Sequence, residues 1–118
     1  MGTFRVAIEV GDPKGKRFEP VEALVDTGAS HTALPGSVLR QLGIEPYEKG
    51  TFRMADGRLV QLDIGQTWVK VNGKRVITQV VFSDERTEPL LGAVTLEQLG
   101  LGIDPVTKTL IPVPRLLM

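Results

Sequence analysis

The segment Ala23-Leu24-Val25-Asp26-Thr27-Gly28-Ala29-Ser30 constrains this chain more than any other. Three consecutive apolar residues read as a buried strand, and they run straight into an acidic residue and a glycine. Such a strand delivers a carboxylate into a tight turn at the edge of the core. The chain repeats half of the pattern at Leu90-Leu91-Gly92, where a second apolar run ends in glycine. The Asp-Thr-Gly-Ala-Ser motif occurs once in 118 residues. Chemistry that needs two such carboxylates would draw the second from another copy of the chain.

The flanking sequence is strand-rich. Phe4, Val6, Ile8 and Val10 alternate with Arg5, Ala7 and Glu9, the period of a half-buried strand. A turn at Gly11 to Gly15 leads to a second strand from Phe18 to Val25, and Pro20 marks that strand as an edge or as irregular before Val21. Val38, Leu39 and Leu42 have helical spacing between Pro35 and Gly43. Asp56-Gly57 marks a hairpin tip, and Asn72-Gly73 marks another closed by two residues. Between them, Val60, Leu62 and Ile64 are even-numbered, whereas Thr67, Val69 and Val71 are odd. That change of phase predicts a bulge or sharp bend at Gly65. Val76 to Phe82 is the partner strand, Ser83 to Pro89 a solvated connection, Val94 to Leu99 a short helix, and Thr109 to Val113 a last strand. Leu39-Arg40-Gln41-Leu42-Gly43-Ile44 echoes Leu96-Glu97-Gln98-Leu99-Gly100-Leu101, which suggests two related halves.

Length allows one domain, residues 1–118, with one core. Lys+Arg and Asp+Glu balance at 14 each, which argues against nucleic acid or an anionic membrane as the main partner. No apolar run approaches the roughly 20 residues that span a bilayer. The first residues lack a secretory signal's apolar segment, so the cytoplasm is the expected location. One histidine and no cysteine leave no ligand set for a catalytic metal, and no cofactor is expected.

Taken in order, these motifs resemble the retropepsin-like aspartic peptidases, the single-domain, homodimeric branch of the pepsin clan, with an ending closer to prokaryotic members. The resemblance rests on Phe18 to Ser30, on Met54-Ala55-Asp56-Gly57-Arg58 at the position of the family's flap, and on Pro89-Leu90-Leu91-Gly92 with the helix after it. It implies an all-β fold: a small closed acid-protease-like β-barrel with one or two short helices, half a lobe of a pepsin-type fold. It also implies a homodimeric endopeptidase acting on peptide or protein substrates. Two departures stand out. Ser30 and His31 occupy positions where viral members usually carry acidic residues, and the hairpin tip offers Gly57 alone.

By that resemblance Asp26 is the catalytic carboxylate, one copy activating water and its mate donating a proton to the scissile carbonyl. Thr27 suits a hydroxyl bond across the dimer axis, and Gly28 lets backbone approach the carboxylates. Ser30 either braces the turn or donates to substrate backbone. Ala29, His31, Met54, Ala55, Asp56 and Gly57 form the expected substrate-binding set, and Leu91 and Gly92 support the turn from beneath. For His31 a surface position is favoured over a pocket wall. A Ser30-His31-Asp26 triad is rejected, because neighbours in one turn do not project onto each other. Trp68 is expected to be buried against a neighbouring strand. The alternative to catalysis is a dimeric β module that binds an extended peptide strand without cutting it; another is a processing domain released from a longer chain.

Overall fold

Strand alternation closes one sheet on itself, and that closure decides where every loop sits. The computed structural model describes residues 4–115 and 117. In chain order the elements are β1 (Phe4–Gly11), β2 (Phe18–Val25), β3 (Thr32–Pro35), α1 (Gly36–Gln41), β4 (Glu48–Arg53) and β5 (Leu59–Val71). They continue with β6 (Lys74–Ser83), β7 (Leu90–Leu91), α2 (Ala93–Leu99), β8 (Leu101–Asp104) and β9 (Thr109–Pro112). The main sheet runs β1-β2-β7-β3-β6-β5-β4, and β1 also pairs with β5 through Glu9–Lys70 and Val10–Val69. All of its strands except β4 therefore form a ring. β4 pairs with the first half of β5 as a projecting hairpin, and β8 and β9 make a separate ladder. This is the expected closed all-β barrel with two short helices.

Ile8, Val10, Val25, Val69, Val80 and Leu91 are almost wholly removed from water inside the ring. Each such side chain contributes about 1.5–3 kcal/mol relative to exposure. The turns follow their sequences. Asn72 and Gly73 both take positive φ, 52° and 80°, as a two-residue hairpin with matching strand twist requires. Pro20 lies where β2 has β1 on one side only, since β7 reaches just Leu24 and Val25. Helix α1 ends on Gly43 at φ 84°, with Gly43 N–H donating to Arg40 O and Ile44 N–H to Leu39 O. Helix α2 ends likewise on Gly100 at φ 69°. The sequence echo thus has a local cause, the same Leu-Gly helix stop used twice.

Gly65 corrects the expectation of a bulge. β5 pairs with β6 residue for residue from Ile64–Val81 through Gly65–Val80 to Val71–Lys74, with no extra residue. The phase of burial changes because the strand is covered on different faces along its length. Odd residues point into the barrel after Gly65; Val60 and Leu62 stand on the opposite face and border a groove outside it. Trp68 shares that outer face and is half-buried, its ring covered by the Arg75 guanidinium at 4.3 Å. Among the described residues no helix is long and apolar enough to cross a membrane.

Candidate active site

The turn that carries Asp26 is built by two parallel strand ends. Val25 lies beside Leu91 in the ladder, so Asp26 and Gly92 leave the barrel together. Asp26 N–H donates to Leu91 O at 3.1 Å, and Leu24 N–H to Pro89 O at 2.8 Å. The carboxylate folds back on its own turn: Oδ1 accepts from Gly28 N–H at 2.9 Å. Asp26 is half-buried, whereas Thr27, Gly28 and Ser30 are exposed. A Cβ on Gly28 would stand 3.2 Å from Asp26 Oδ1, so the missing side chain keeps the carboxylate uncrowded.

After the turn the chain crosses over Gly92 and is pinned there. Ala93 N–H donates to Ala29 O at 2.8 Å and Val94 N–H to Ser30 O at 3.1 Å. A Cβ on Gly92 would lie 2.9 Å from Thr32 N and nearer still to the His31 carbonyl. Beneath the crossing, three buried threonines form one network. Thr32 and Thr95 hydroxyls meet at 2.6 Å, Thr78 and Thr95 at 2.9 Å, and Thr32 Oγ1 accepts from Gly92 N–H. Fully paired hydroxyls in a low-dielectric interior hold β3, β6 and α2 in one arrangement.

A groove of about 780 Å³ lies between this turn and the β4–β5 hairpin. Gly28, Ala29, Ser30 and His31 line one side, and Phe52, Met54 and Arg58 the other. His31 stands in the groove wall, which overturns the favoured surface position. Its ring meets Phe52 edge-on at 5.4 Å. Nδ1 lies 2.9 Å from Ser30 Oγ and Nε2 lies 3.2 Å from Gln79 Oε1, while the Gln79 amide donates to the Tyr47 hydroxyl. With Gln79 accepting, Nε2 carries the proton and Nδ1 accepts from Ser30. Ser30 is therefore tied to His31 by its side chain and to α2 by its carbonyl.

The segment from Ser83 to Pro89 is more than a solvated connection: Asp84, Arg86 and Thr87 line the groove. Glu85 fastens it to α1 by accepting from Ser37 Oγ at 2.6 Å and Ser37 N–H at 3.1 Å. These bonds, the hydroxyl first, hold the Glu85 carboxyl below its ordinary range.

The residues singled out from sequence fall into four places. Ala29, His31 and Met54 border the groove, and Leu91 and Gly92 lie under the turn. Ala55, Asp56 and Gly57 form the exposed hairpin tip outside the groove lining. Met54 N–H donates to Arg58 O and Gly57 N–H to Met54 O, with Gly57 at φ 89°. Thr27 borders a second, smaller cavity of about 280 Å³ with Leu96, Ile103 and Val113. Sequence reasoning missed Gln79, Tyr47, the threonine network and Arg86. Thr32 and Thr95 alone left a signal, as β-branched polar residues just after the two glycine turns.

The sequence profile of a family described as "gag-polyprotein putative aspartyl protease" matches residues 16–98. No curated protein matches the chain in sequence. Among solved structures it is similar to the simian foamy virus (mac) protease, with TM-score 0.58, 24% identity and coverage of 81% of this chain and 94% of that one. EIAV protease complexed with the inhibitor HBY-793 superposes with TM-score 0.63 at 20% identity, covering 84% and 89%. The retroviral protease-like domain of Ddi1 from Leishmania major does so with TM-score 0.60 at 18% identity, covering 95% and 89%. At these identities the likeness bears on the fold.

Proposed function

The chain belongs to the retropepsin-like aspartic peptidases, and from that premise we propose a homodimeric endopeptidase in which Asp26 of each copy contributes to one shared site. The observation that carries this reading is the setting of Asp26. It leaves a pair of buried strands on an exposed glycine turn, and the next residues of that turn, Gly28 to His31, line a groove large enough for an extended peptide. A dimer is favoured by what surrounds Thr27. Val113, which shares its cavity, is 38% exposed, and Val94 and Ile111 are 49% and 38% exposed. Exposed apolar side chains of this kind, Val113 at Thr27's cavity and Val94 bonded to the turn through Ser30 O, are the kind of surface a second copy covers.

In aspartic proteases generally, two carboxylates a few ångströms apart cannot both ionise, so the pair shares a proton. The ionised Asp26 takes a proton from water as it attacks the scissile carbonyl, and the protonated mate donates to the carbonyl oxygen. Collapse of the tetrahedral intermediate returns a proton to the leaving amine. Gly28 N–H fixes the carboxylate plane, Thr27 faces the second copy, and Ser30 and His31 form the wall against which the peptide lies. The β4–β5 hairpin serves as a flap that excludes water once peptide is bound.

Digestion of a peptide library across pH, with wild type beside Asp26→Asn, tests the assignment. Wild type should cleave within apolar stretches, and the amide should lower the rate by about a thousandfold or more. Equal cleavage by both proteins would contradict it. Tight peptide binding with no cleavage at any pH would instead make the chain a peptide-binding module.

A further inference from the structure

The groove has an apolar floor and a cationic rim. Val60, Leu62, Val81 and Leu90 line it below, and Arg58 and Arg86 line it from opposite loops. Alternation along β5 and the residue before it puts Arg58 on the same face as Val60 and Leu62, while Leu59 points away and is 60% exposed. Each arginine is held by an aspartate two residues earlier. Asp56 accepts from Arg58 N–H at 3.0 Å and Nε at 2.7 Å. Asp84 accepts from Arg86 N–H at 2.7 Å and Nε at 3.4 Å. Both contacts engage Nε on side chains that are 67% and 93% exposed, and among the described residues the Nη donors meet no protein acceptor.

The local charge balance is one-sided in a chain whose formal charges cancel. Arg53, Arg58 and Arg86 border the groove, and the two aspartates paired with Arg58 and Arg86, Asp56 and Asp84, leave one cation in excess. The neighbouring acids are committed elsewhere, Glu85 to Ser37 and Glu88 to Arg5. Arg53 donates to Gly57 O and makes no ion pair among the described residues. Guanidinium Nη pairs bind carboxylates two donors at a time, with a geometry that an uncharged amide does not match.

Building on the endopeptidase reading above, we propose that this groove selects peptides in which an acidic side chain flanks the apolar residues at the cut, its carboxylate bound by the Nη donors of Arg58 and Arg86. The apolar floor takes the neighbouring side chains and the arginines set the register of the peptide along it.

The test uses two peptides that differ only in Glu or Gln beside one apolar cleavage segment, compared by kcat/KM. Glu should be favoured roughly five- to tenfold. The ratio should shrink as salt is raised and vanish as pH falls below about 4, where the peptide carboxyl protonates. His31, Asp56, Asp84 and Arg53 also face this rim; because both peptides meet the same enzyme, the ratio cancels effects of their titration common to the two. Arg58→Gln and Arg86→Gln should each move the ratio toward one, and Arg58→Glu should turn the preference toward a Lys peptide. A ratio of one in wild type, or one that neither Gln variant changes, would overturn the proposal. Anisotropy of the same labelled peptides on Asp26→Asn reads the ratio as binding, so a failure of catalysis is told apart from a failure of selection.

Discussion

Asp26 and Gly92 sit at the ends of adjacent parallel strands, and each is needed there for a different reason. Asp26 supplies the only acid on the turn, oriented by Gly28 N–H. Gly92 supplies an absence, since any side chain would enter the backbone of His31 and Thr32 that crosses above it. Its φ of −92° is open to every residue, so crowding alone demands glycine. Gly92→Ala should therefore destabilise the fold by about 3 kcal/mol, through a forced shift of packed backbone. Chemical denaturation checks this, and a midpoint unchanged from wild type would show that the crossing is loose. Asp26, Gly28 and Gly92 were legible in the sequence because each belongs to a short motif with a local physical meaning. Gln79 and Tyr47 were not, because their place near His31 depends on contacts across 48 residues (His31 to Gln79) and 32 residues (Gln79 to Tyr47) that no local pattern announces.

The β4–β5 hairpin shows what a strand pattern reveals and what it hides. Asp56-Gly57 announced the tip, and alternation announced β5. The phase change at Gly65 read as an irregular strand because the pattern records which face is covered, not by what. One face is covered by the barrel core and the other by the groove. β3 escaped notice for a related reason: four residues ending in proline carry too short an alternation, although Leu34 and Thr32 are wholly buried. The charges of Ser83 to Pro89 suggested solvent, yet Glu85 ties that segment to α1 and turns its neighbours toward the groove. At the tip, Gly57 holds φ 89°, and a Cβ at this position would have nothing within 4 Å. Gly57→Val meets no neighbour and instead strains the turn by about 1–2 kcal/mol. Peptide turnover should fall while circular dichroism stays native and the unfolding midpoint drops by no more than about 10 °C, as this strain implies. Loss of the folded state would make the hairpin part of the barrel's support and not a moving flap.

At the scale of the whole molecule, the proposed function makes one chain half of a two-carboxylate site. The barrel buries its own core, leaves Thr27 at the edge of a small apolar cavity, and keeps Val94, Ile111 and Val113 at the surface. An isologous interface would bring two identical turns to one axis. The most direct measurement of that claim mixes wild type with Asp26→Asn, allows subunits to exchange, and follows activity per total protein as the wild-type fraction is lowered. If both carboxylates are needed, only wild-type pairs cut, and activity falls as the square of the fraction, to about a quarter at equal amounts. Independent sites in each chain would give a straight line through about one half, and that line, once exchange has been verified, would contradict the shared site.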